Sequence, residues 1–283
     1  PDGATLTIRK FPKTKLTGDD YLKYGSINKK MLKFLELCVA GKCSIIVSGG
    51  TGSGKTTLLN MLSNYIPPRE AIVTVEDSCE LNLYQDNVRR LEARPTNMEG
   101  KGEITIRRLV KNTLRMRPDR IIVGEIRDGC IVDMLRAMLS GHAGGITTVH
   151  ANSPKDLVEA TLLILFGMSD MNFTEMAQKQ QICSSIDLIV QISRLQDGSR
   201  KITNITHVVG LGNVGATNLK LKNVDENKIY IQDVYRFKQT GIDDNNKVVG
   251  KFETTGYQPK KIIDKIEKAG MDIPSDLFEK DEV

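Results

Sequence analysis

Residues 49–56 read GGTGSGKT, a complete G-x-x-x-x-G-K-[ST] phosphate loop. The stretch before it, SIIVS at 44–48, is apolar and β-branched, and the stretch after it, TLLNML at 57–62, has helix-forming residues. A strand, a glycine-rich turn and a helix in this order form the context in which such a loop binds phosphate. The glycines let backbone N–H groups converge on anionic oxygens, and the helix N-terminus adds partial positive charge. We therefore predict that the chain binds a nucleoside triphosphate.

The side chains of the loop have separate predicted tasks. Lys55 supplies positive charge for the β- and γ-phosphates, and the hydroxyl of Thr56 is a ligand for Mg²⁺. The other predicted nucleotide contacts are Gly50, Thr51, Gly52, Ser53, Gly54 and Thr57.

Composition places the chain among ordinary globular proteins. It has 283 residues, enough for one or two domains, with 40% hydrophobic and 27% charged residues. No apolar run approaches the ~18 residues that a membrane-spanning helix requires, so direct membrane insertion is not expected. The chain begins with Pro1 and shows no secretory signal, and we expect it to be a processed or trimmed segment of a longer protein.

The charge balance bears on nucleic-acid binding, and the cysteines bear on the redox compartment. Net charge is +5, from 40 basic and 35 acidic residues, while aromatic residues make up 5% and Trp is absent. Basic residues do not alternate with aromatic ones, so the stacking platform of a single-strand binder is missing and no nucleic-acid partner is expected. The five cysteines form no C-x-x-C pair and no zinc spacing, which fits a reducing cytoplasm.

Apolar periodicity predicts an α/β fold. A strand at 5–11 (TLTIRKF) and a turn-rich linker at 12–25 precede a helix that runs from Ser26 to Gly41. After the phosphate loop, predicted strands alternate with predicted helices, which favours a mostly parallel sheet with helices on both faces. The predicted strands are 71–75, 120–124, 145–149, 202–210 and 229–237; the predicted helices are 105–116, 128–140 (with Leu139 facing inward), one starting at Ser153-Pro154, and terminal helices within 259–278; 212–226 is a predicted surface loop.

Three residues with acid–base chemistry fall at the ends of successive predicted strands. Glu76 lies at the end of the strand predicted at 71–75, Glu125 follows the strand at 120–124, and His150 lies at the end of the strand at 145–149. Ligands of open α/β sheets collect at the carboxyl ends of strands, so all three should lie at the same edge as Lys55. Phosphoanhydride hydrolysis needs a carboxylate that orients or deprotonates water and another that holds the Mg²⁺ shell.

Four stretches together resemble the motif set of the secretion and pilus traffic ATPases. They are GGTGSGKTTLL, IVTVEDSCEL, RMRPDRIIVGEIRD and SGHAGGITTVHANSP, similar to the Walker A motif, the Asp box, a Walker B motif with Gly-Glu, and the His box. The segment between the second and third motifs looks most like the tight-adherence (Flp-type) pilus assembly ATPases, called CpaF-like. The resemblance implies a RecA-like P-loop NTPase with a remnant of an N-terminal domain. Residues 1–25 would be the end of that domain and a linker, and 26–283 the C-terminal ATPase domain.

The resemblance also implies roles for individual residues. Glu76 would be the catalytic base or the residue that orients water, and Glu125 would hold the metal through water. His150 would sense the γ-phosphate, with His142 supporting the same loop.

Arginines matter because γ-phosphate transfer spreads negative charge that a guanidinium from a neighbouring subunit can stabilise. The candidates are Arg9, Arg115, Arg117 and Arg127. Arg115 matches an arginine of pilus retraction relatives, and Arg9 lies in the segment similar to the end of the N-terminal domain. The sequence leaves open which one acts across an interface.

The expected function is Mg-dependent ATP hydrolysis by a cytoplasmic, ring-forming motor for pilus assembly or secretion. The resemblance implies a hexamer and a polytopic inner-membrane platform protein as partner, with peripheral membrane association through that partner. Two alternatives stay open. One is a RecA-like nucleic-acid motor, and the other is a nucleotide-responsive scaffold that binds ATP without turnover.

Overall fold

A nine-stranded mixed sheet organises the computed structural model, which describes residues 3–8 and 15–280. The strands are β1 (Ile45–Ser48), β2 (Ile72–Glu76), β3 (Val88–Glu92), β4 (Arg120–Ile126), β5 (Ile146–Val149), β6 (Leu188–Arg194), β7 (Arg200–Leu211), β8 (Ile229–Ile242) and β9 (Val248–Thr254). Their order across the sheet is β3-β2-β4-β5-β1-β6-β7-β8-β9. The first six are parallel to their neighbours, and β7, β8 and β9 extend the sheet in antiparallel fashion. The predicted mostly parallel sheet is confirmed.

Helices cover both faces of this sheet. They are α1 (Gly18–Lys23), α2 (Lys29–Ala40), α3 (Lys55–Ser63), α4 (Ile106–Thr113), α5 (Cys130–Leu139), α6 (Pro154–Asp156), α7 (Leu162–Gly167), α8 (Glu175–Ser185), α9 (Gly212–Asn218) and α10 (Lys260–Lys268). A π-helical turn, Leu157–Thr161, joins α6 to α7, and a 3₁₀ turn spans Ser275–Phe278. Within the described ranges, no helix combines the length and apolar character needed to cross a bilayer.

The central strand β1 shows how the sheet forms two cores. Ile45 and Val47 pack with residues of α2, α3 and α10, while Ile46 packs with residues of α4, α5 and α8 on the opposite face. Successive side chains of a strand point to opposite faces, and every residue of β1 is buried, so its first three residues are all apolar. This continuous apolar run explains why the phosphate loop begins from a rigid base.

Local signals set the helix boundaries that the sequence predicted. Asn28 caps α2 by accepting a hydrogen bond from the backbone N–H of Met31 at 2.8 Å, and Gly41 follows its last turn. Ser153 accepts from the N–H of Asp156 at 3.0 Å with Pro154 in the first turn, as predicted.

The N-terminal prediction is partly wrong. Residues 5–8, the described part of the predicted strand 5–11, form no strand, and residues 9–11 lie outside the described ranges. The predicted linker contains α1, which a capping box at Thr17 starts. Tyr21 of this helix is 5% exposed and belongs to the core beside α2 and α3. Burial of the Tyr21 side chain therefore holds the otherwise polar α1 segment against the core.

Three further differences have simple causes. Strand β3 escaped prediction because it is an edge strand whose side chains are mostly exposed, so it lacks an apolar pattern. The predicted loop 212–226 opens with α9, which covers β7 and β8. Leu139 is 49% exposed rather than inward-facing, since it lies at the last turn of α5. All five cysteines are free, and Cys38 and Cys43 are buried, as expected for small core residues.

A buried imidazole makes stability depend on pH. His207 in β7 is 3% exposed, and its Nδ1 lies 2.9 Å from the hydroxyl of Tyr257. Burial lowers the pKa of His207 to about 4 from 6.5; nearby Lys261 lowers it further, and Asp187 opposes the shift. Between these two pH values the unfolded chain binds a proton on this residue that the folded chain does not bind.

We therefore expect the contribution of His207 to the free energy of unfolding to be fully present above pH 6.5. This contribution should be lost as the pH falls toward 4. The loss attributable to His207 is about 3 kcal/mol. Urea unfolding at pH 7.5, 5.5 and 4.5, compared between the wild type and His207→Gln, measures it. The variant should lose less stability on acidification, and His142→Gln serves as control. Parallel pH profiles for wild type and His207→Gln would contradict the assignment.

Candidate functional site

The phosphate loop lies at the carboxyl edge of the parallel strands, between β1 and α3. Two of its glycines adopt positive φ, +70° at Gly52 and +99° at Gly54, a conformation that only glycine adopts readily. The hydroxyl of Ser53 donates to the carbonyl of Gly50 at 2.8 Å and closes the turn. These dihedrals explain why the sequence places glycines at these positions.

Lys55 extends back across the loop that precedes it. Its Nζ donates to the carbonyls of Gly49 and Gly50, both at 3.1 Å, and the residue is 8% exposed. Burial lowers the pKa of Lys55, and the carboxylate of Glu125 opposes that shift. The ammonium group is therefore fixed at the mouth of the loop, where phosphate oxygens would meet the loop amides.

A β-bulge brings Glu125 to the same place. The register between β4 and β5 shifts between Val123 and Ile126, so β4 carries one extra residue at Gly124–Glu125. The hydroxyl of Thr148 donates to the carbonyl of Gly124 at 2.8 Å and supports the bulge. Glu125 is thus part of a strand rather than a residue that follows it, and the bulge re-aims its side chain.

His150 connects Glu125 to the phosphate loop. Its Nε2 lies 2.8 Å from Oε1 of Glu125, and its Nδ1 lies 3.5 Å from Nζ of Lys55, with Nε2 also 3.1 Å from that Nζ. The approach of Nε2 to Glu125 is a close contact and not a hydrogen bond, because Oε1 of Glu125 has no hydrogen-bond partner within the described residues. The tautomer of His150 determines which ring nitrogen accepts a hydrogen bond from the ammonium group of Lys55. The structure therefore brings three predicted site residues into one contact chain.

Arg127 contacts the carboxylate oxygen of Glu125 that His150 does not contact. Its Nε donates to Oε2 of Glu125 at 2.7 Å, a second guanidinium nitrogen contacts the same oxygen, and its Nη1 lies 3.7 Å from Asp77. Hydrogen bonding to Glu125 raises the pKa of Arg127. Arg127 is therefore engaged within its own chain, beside the candidate metal-binding carboxylate.

Glu76 at the end of β2 is the most deeply buried carboxylate of the site. It is 3% exposed, and its Oε2 accepts from the backbone N–H groups of Glu80 and Leu81, both at 2.8 Å. Within residues 3–8 and 15–280, its Oε1 has no hydrogen-bond partner. Burial raises the pKa of Glu76, although the two amides oppose the shift. A side chain at Gly124 would approach Cγ of Glu76 to 3.0 Å, so this glycine makes room for the carboxylate.

Other predicted residues lie away from this edge. His142 precedes β5 and the turn with Arg115 and Arg117 precedes β4, so all three lie at the amino edge of the sheet. Arg115 lines a recess of about 660 Å³ with Arg94 and other residues of the 94–112 region. The structure does not bring these residues to the loop of their own chain. Arg9 lies outside the described residues.

Two polar residues near the loop were missed by sequence reasoning. Arg200, the first residue of β7, donates from Nε to the carbonyl of Gly52 at 3.3 Å, although 148 positions separate them. Gln191 in β6 contacts Ser48, the residue before the loop. Only the pairing of β1 with β6, and of β6 with β7, brings these side chains to the site, and nothing local in the sequence marks them.

The donor set fits magnesium bound together with a nucleotide. Mg²⁺ favours one or two carboxylates, substrate phosphates and water over a cage made of protein alone. Thr56 and Glu125 supply a hydroxyl and a carboxylate beside the loop, and Glu76 adds an unpaired buried oxygen. Within the described chain no cluster of three or more His, Cys, Asp or Glu residues forms a separate metal site.

Comparison with known proteins identifies the family of the chain. The sequence profile of the family described as Type II/IV secretion system protein matches residues 2–244. The chain belongs to this family. It is 39% identical over 181 residues to the conjugal transfer protein Rv3659c of Mycobacterium tuberculosis, covering 64% of the chain and 51% of that relative.

Two solved structures of secretion and pilus ATPases share the fold. The VirB11 ATPase of the Brucella suis type IV secretion system, in complex with sulphate, is 28% identical with a TM-score of 0.54, over 70% of this chain and 64% of that one. The pilus retraction motor PilT with bound ADP is 26% identical with a TM-score of 0.52, over 69% and 53%. These neighbours confirm the predicted RecA-like α/β fold. The chain spans about half the length of the conjugal transfer protein that it matches.

Replacing Lys55 with Ala should weaken ATP binding by at least about a hundredfold, because the change removes the charge that meets the phosphates. It also removes the two hydrogen bonds that shape the loop. Isothermal titration calorimetry with ATP measures the effect. Lys33→Ala, which removes a half-buried lysine of α2 paired with Glu36, is the control. Micromolar affinity retained in Lys55→Ala would contradict the predicted phosphate contact.

Proposed function

We propose that this chain hydrolyses the β–γ phosphoanhydride bond of ATP and that a ring of copies uses this reaction to drive pilus assembly or secretion. The observation that carries the proposal is Glu76. One oxygen of this buried carboxylate is fixed by two backbone amides, and the other is unpaired at the edge where the phosphate loop opens. A fixed carboxylate with one free oxygen suits the orientation of a water molecule.

The residues of the loop would hold the triphosphate. Its backbone amides and the N-terminus of α3 would receive the phosphate oxygens, and Lys55 would bridge the β- and γ-phosphates. Mg²⁺ bound with the nucleotide would be held by Thr56 and, through water, by Glu125, and it would neutralise charge that develops on the phosphate oxygens. Arg200 lies close enough to the loop to add a second cation from the same chain.

Glu76 would then take a proton from the attacking water as the oxygen of that water bonds to the γ-phosphorus. The bond between this phosphorus and the bridging oxygen breaks, and ADP and inorganic phosphate leave. Burial raises the pKa of Glu76, which makes its ionised form a stronger base. His150, already 2.8 Å from Glu125, would report the γ-phosphate to the metal-binding carboxylate.

A neighbouring copy would complete the site. Transfer of the γ-phosphoryl group spreads charge that an arginine from another subunit can stabilise. Arg127 is paired within its own chain, whereas Arg115 is exposed at the opposite edge of the sheet. We therefore propose Arg115, with Arg9 and Arg117 as further candidates, for contact across the interface of a hexamer.

The family supports the proposed biological setting. VirB11 and PilT act in a type IV secretion system and in pilus retraction. We propose a cytoplasmic location against the inner membrane and a polytopic platform protein as partner. The motif resemblance favours the tight-adherence branch, whereas the relative from Mycobacterium tuberculosis is named for conjugal transfer. The proposed ATP hydrolysis would serve either setting.

Replacing Glu76 with Gln should lower kcat for ATP by about a hundredfold or more while ATP affinity stays near that of the wild type, because the amide keeps the shape but loses the base. Steady-state phosphate release and calorimetry separate the two effects. The acidic limb of the kcat profile should lie above the pH at which ordinary glutamates titrate, since burial raises the pKa of Glu76. Glu92→Gln, at the end of the neighbouring edge strand, is the control. Unchanged turnover in Glu76→Gln would remove this residue from its role.

Adding a non-hydrolysable ATP analogue should shift the solution mass from the 31.4 kDa monomer toward a ring, since the nucleotide would lie between copies. Multi-angle light scattering with and without the analogue measures the shift, and Lys55→Ala should not respond. Turnover per chain that is independent of protein concentration in a strictly monomeric sample would contradict the shared site. Tight, salt-sensitive single-strand DNA binding that raises the ATPase rate would favour a nucleic-acid motor instead.

A further inference from the structure

Gln191 is a buried amide at the carboxyl edge of the sheet that none of the proposed catalytic roles uses. It lies in β6 directly beside Ser48 of β1, and it is 2% exposed. Its Oε1 accepts a hydrogen bond from the hydroxyl of Ser48, and its Nε2 donates to the carbonyl of Ala151 at 3.1 Å. One side chain therefore connects β6, the end of β1 and the segment that follows β5.

The two contacts of Gln191 are next to the two parts of the site that must act together. Ser48 immediately precedes Gly49, whose carbonyl accepts from the ammonium group of Lys55 at 3.1 Å. Ala151 immediately follows His150, whose Nε2 lies 2.8 Å from Glu125. The amide thus reaches both the entry to the phosphate loop and the backbone beside the imidazole.

Backbone pairing alone does not hold His150 in this position. The parallel pairing of β1 with β5 ends at Ser48 and Val149, so His150 and Ala151 lie beyond the ladder. A buried amide costs free energy unless both of its polar atoms are hydrogen-bonded. Because both atoms of Gln191 are satisfied only when the loop and the His150 segment keep their present separation, the amide favours that separation.

We propose that Gln191 is a positioning residue that fixes the distance between the phosphate loop and His150, so that the imidazole meets the γ-phosphate of a bound nucleotide. This proposal rests on the proposed ATP hydrolysis at the same edge. Gln191 does not touch the reacting atoms, and its effect passes through His150. It should therefore govern the rate of turnover more than the affinity for nucleotide.

Gln191→Met removes both hydrogen bonds at nearly constant volume. We expect kcat for ATP to fall by about tenfold or more, as for a small misplacement of a reacting group. Affinity for a non-hydrolysable analogue should stay within about threefold, because Lys55 and the loop amides remain. Phosphate release, calorimetry and thermal unfolding are measured on the same preparations.

Gln85→Met is the matched control. Gln85 is also a buried amide, 8% exposed, and its Nε2 donates to the carbonyls of Ser63 and Ile66 at 2.8 and 2.9 Å. These contacts lie at the far end of α3 from the phosphate loop. The control should lower the unfolding midpoint comparably and leave kcat near the wild-type value. Equal losses of kcat in both variants would reduce Gln191 to a purely structural role and overturn the proposal.

A double variant tests whether Gln191 acts through His150. If it does, His150→Ala with Gln191→Met should turn over ATP within about twofold of His150→Ala alone. If the turnover of the double variant falls by the product of the two single-variant losses, the two residues act independently and the proposal is overturned. If Glu76→Gln and His150→Ala impair turnover but Gln191→Met does not, the proposed function stands and the positioning role fails.

A measurement that does not depend on turnover tests the positioning role even if the chain does not hydrolyse ATP. The chain has three histidines, so the ring proton signals of His150 can be assigned by comparison with His150→Ala. Binding of a non-hydrolysable ATP analogue with Mg²⁺ should shift the His150 signal in the wild type, and Gln191→Met should reduce that shift. If the wild type does not hydrolyse ATP, the proposed function fails, and an unchanged His150 shift in Gln191→Met separately overturns the positioning role.

Discussion

The parallel pairing of β5, β1 and β6 is the constraint on which the rest of this structure depends. β1 lies between the other two strands, and Val149, Ser48 and Gln191 stand side by side where the three strands reach the carboxyl edge. The phosphate loop follows β1 and His150 follows β5. The amide of Gln191 in β6 hydrogen-bonds to residues next to both. Since β1 is buried along its whole length, the loop starts from a base that packing on both faces keeps rigid.

Charge at the edge is balanced around a single carboxylate. Glu125 lies between His150 and Arg127, and the imidazole in turn lies against Lys55. A β-bulge makes this arrangement possible, because a regular strand would place the carboxylate out of step with β5. A metal ion or phosphate that bound here would compete with His150, Arg127 and Lys55 for these contacts. Under the proposed function, the residues that would bind the nucleotide would also respond to its presence.

Glu76 stands apart from this contact chain and has a different environment. Two backbone amides fix one oxygen, and burial raises the pKa of the group, whereas Glu125 is engaged by cations. Two carboxylates in unlike surroundings suit unlike tasks, one as a base and one beside a metal. The family and the solved neighbours are secretion and pilus ATPases, in which such a division of labour would serve a motor.

Motifs with local physical causes could be predicted from the sequence alone. The glycine spacing, Lys55 and Thr56 predicted the phosphate loop, and apolar runs predicted the central strands, because both patterns arise within a few residues. The strand-end positions of Glu76 and His150 followed from the same periodicity. β3 was missed because an exposed edge strand carries no apolar pattern, and residues 5–8 were misjudged because they alternate like a strand but form none.

Tertiary structure decided which distant residues meet. The bulge that aims Glu125, the reach of Arg200 over Gly52 and the two contacts of Gln191 depend on strand pairing between segments far apart in the chain. Tertiary structure also placed His142 at the opposite edge from the phosphate loop, although the motif resemblance grouped it with His150. A sequence specifies the chemistry of each side chain and its local conformation. Proximity between remote side chains follows from the register of the sheet, which the whole core determines.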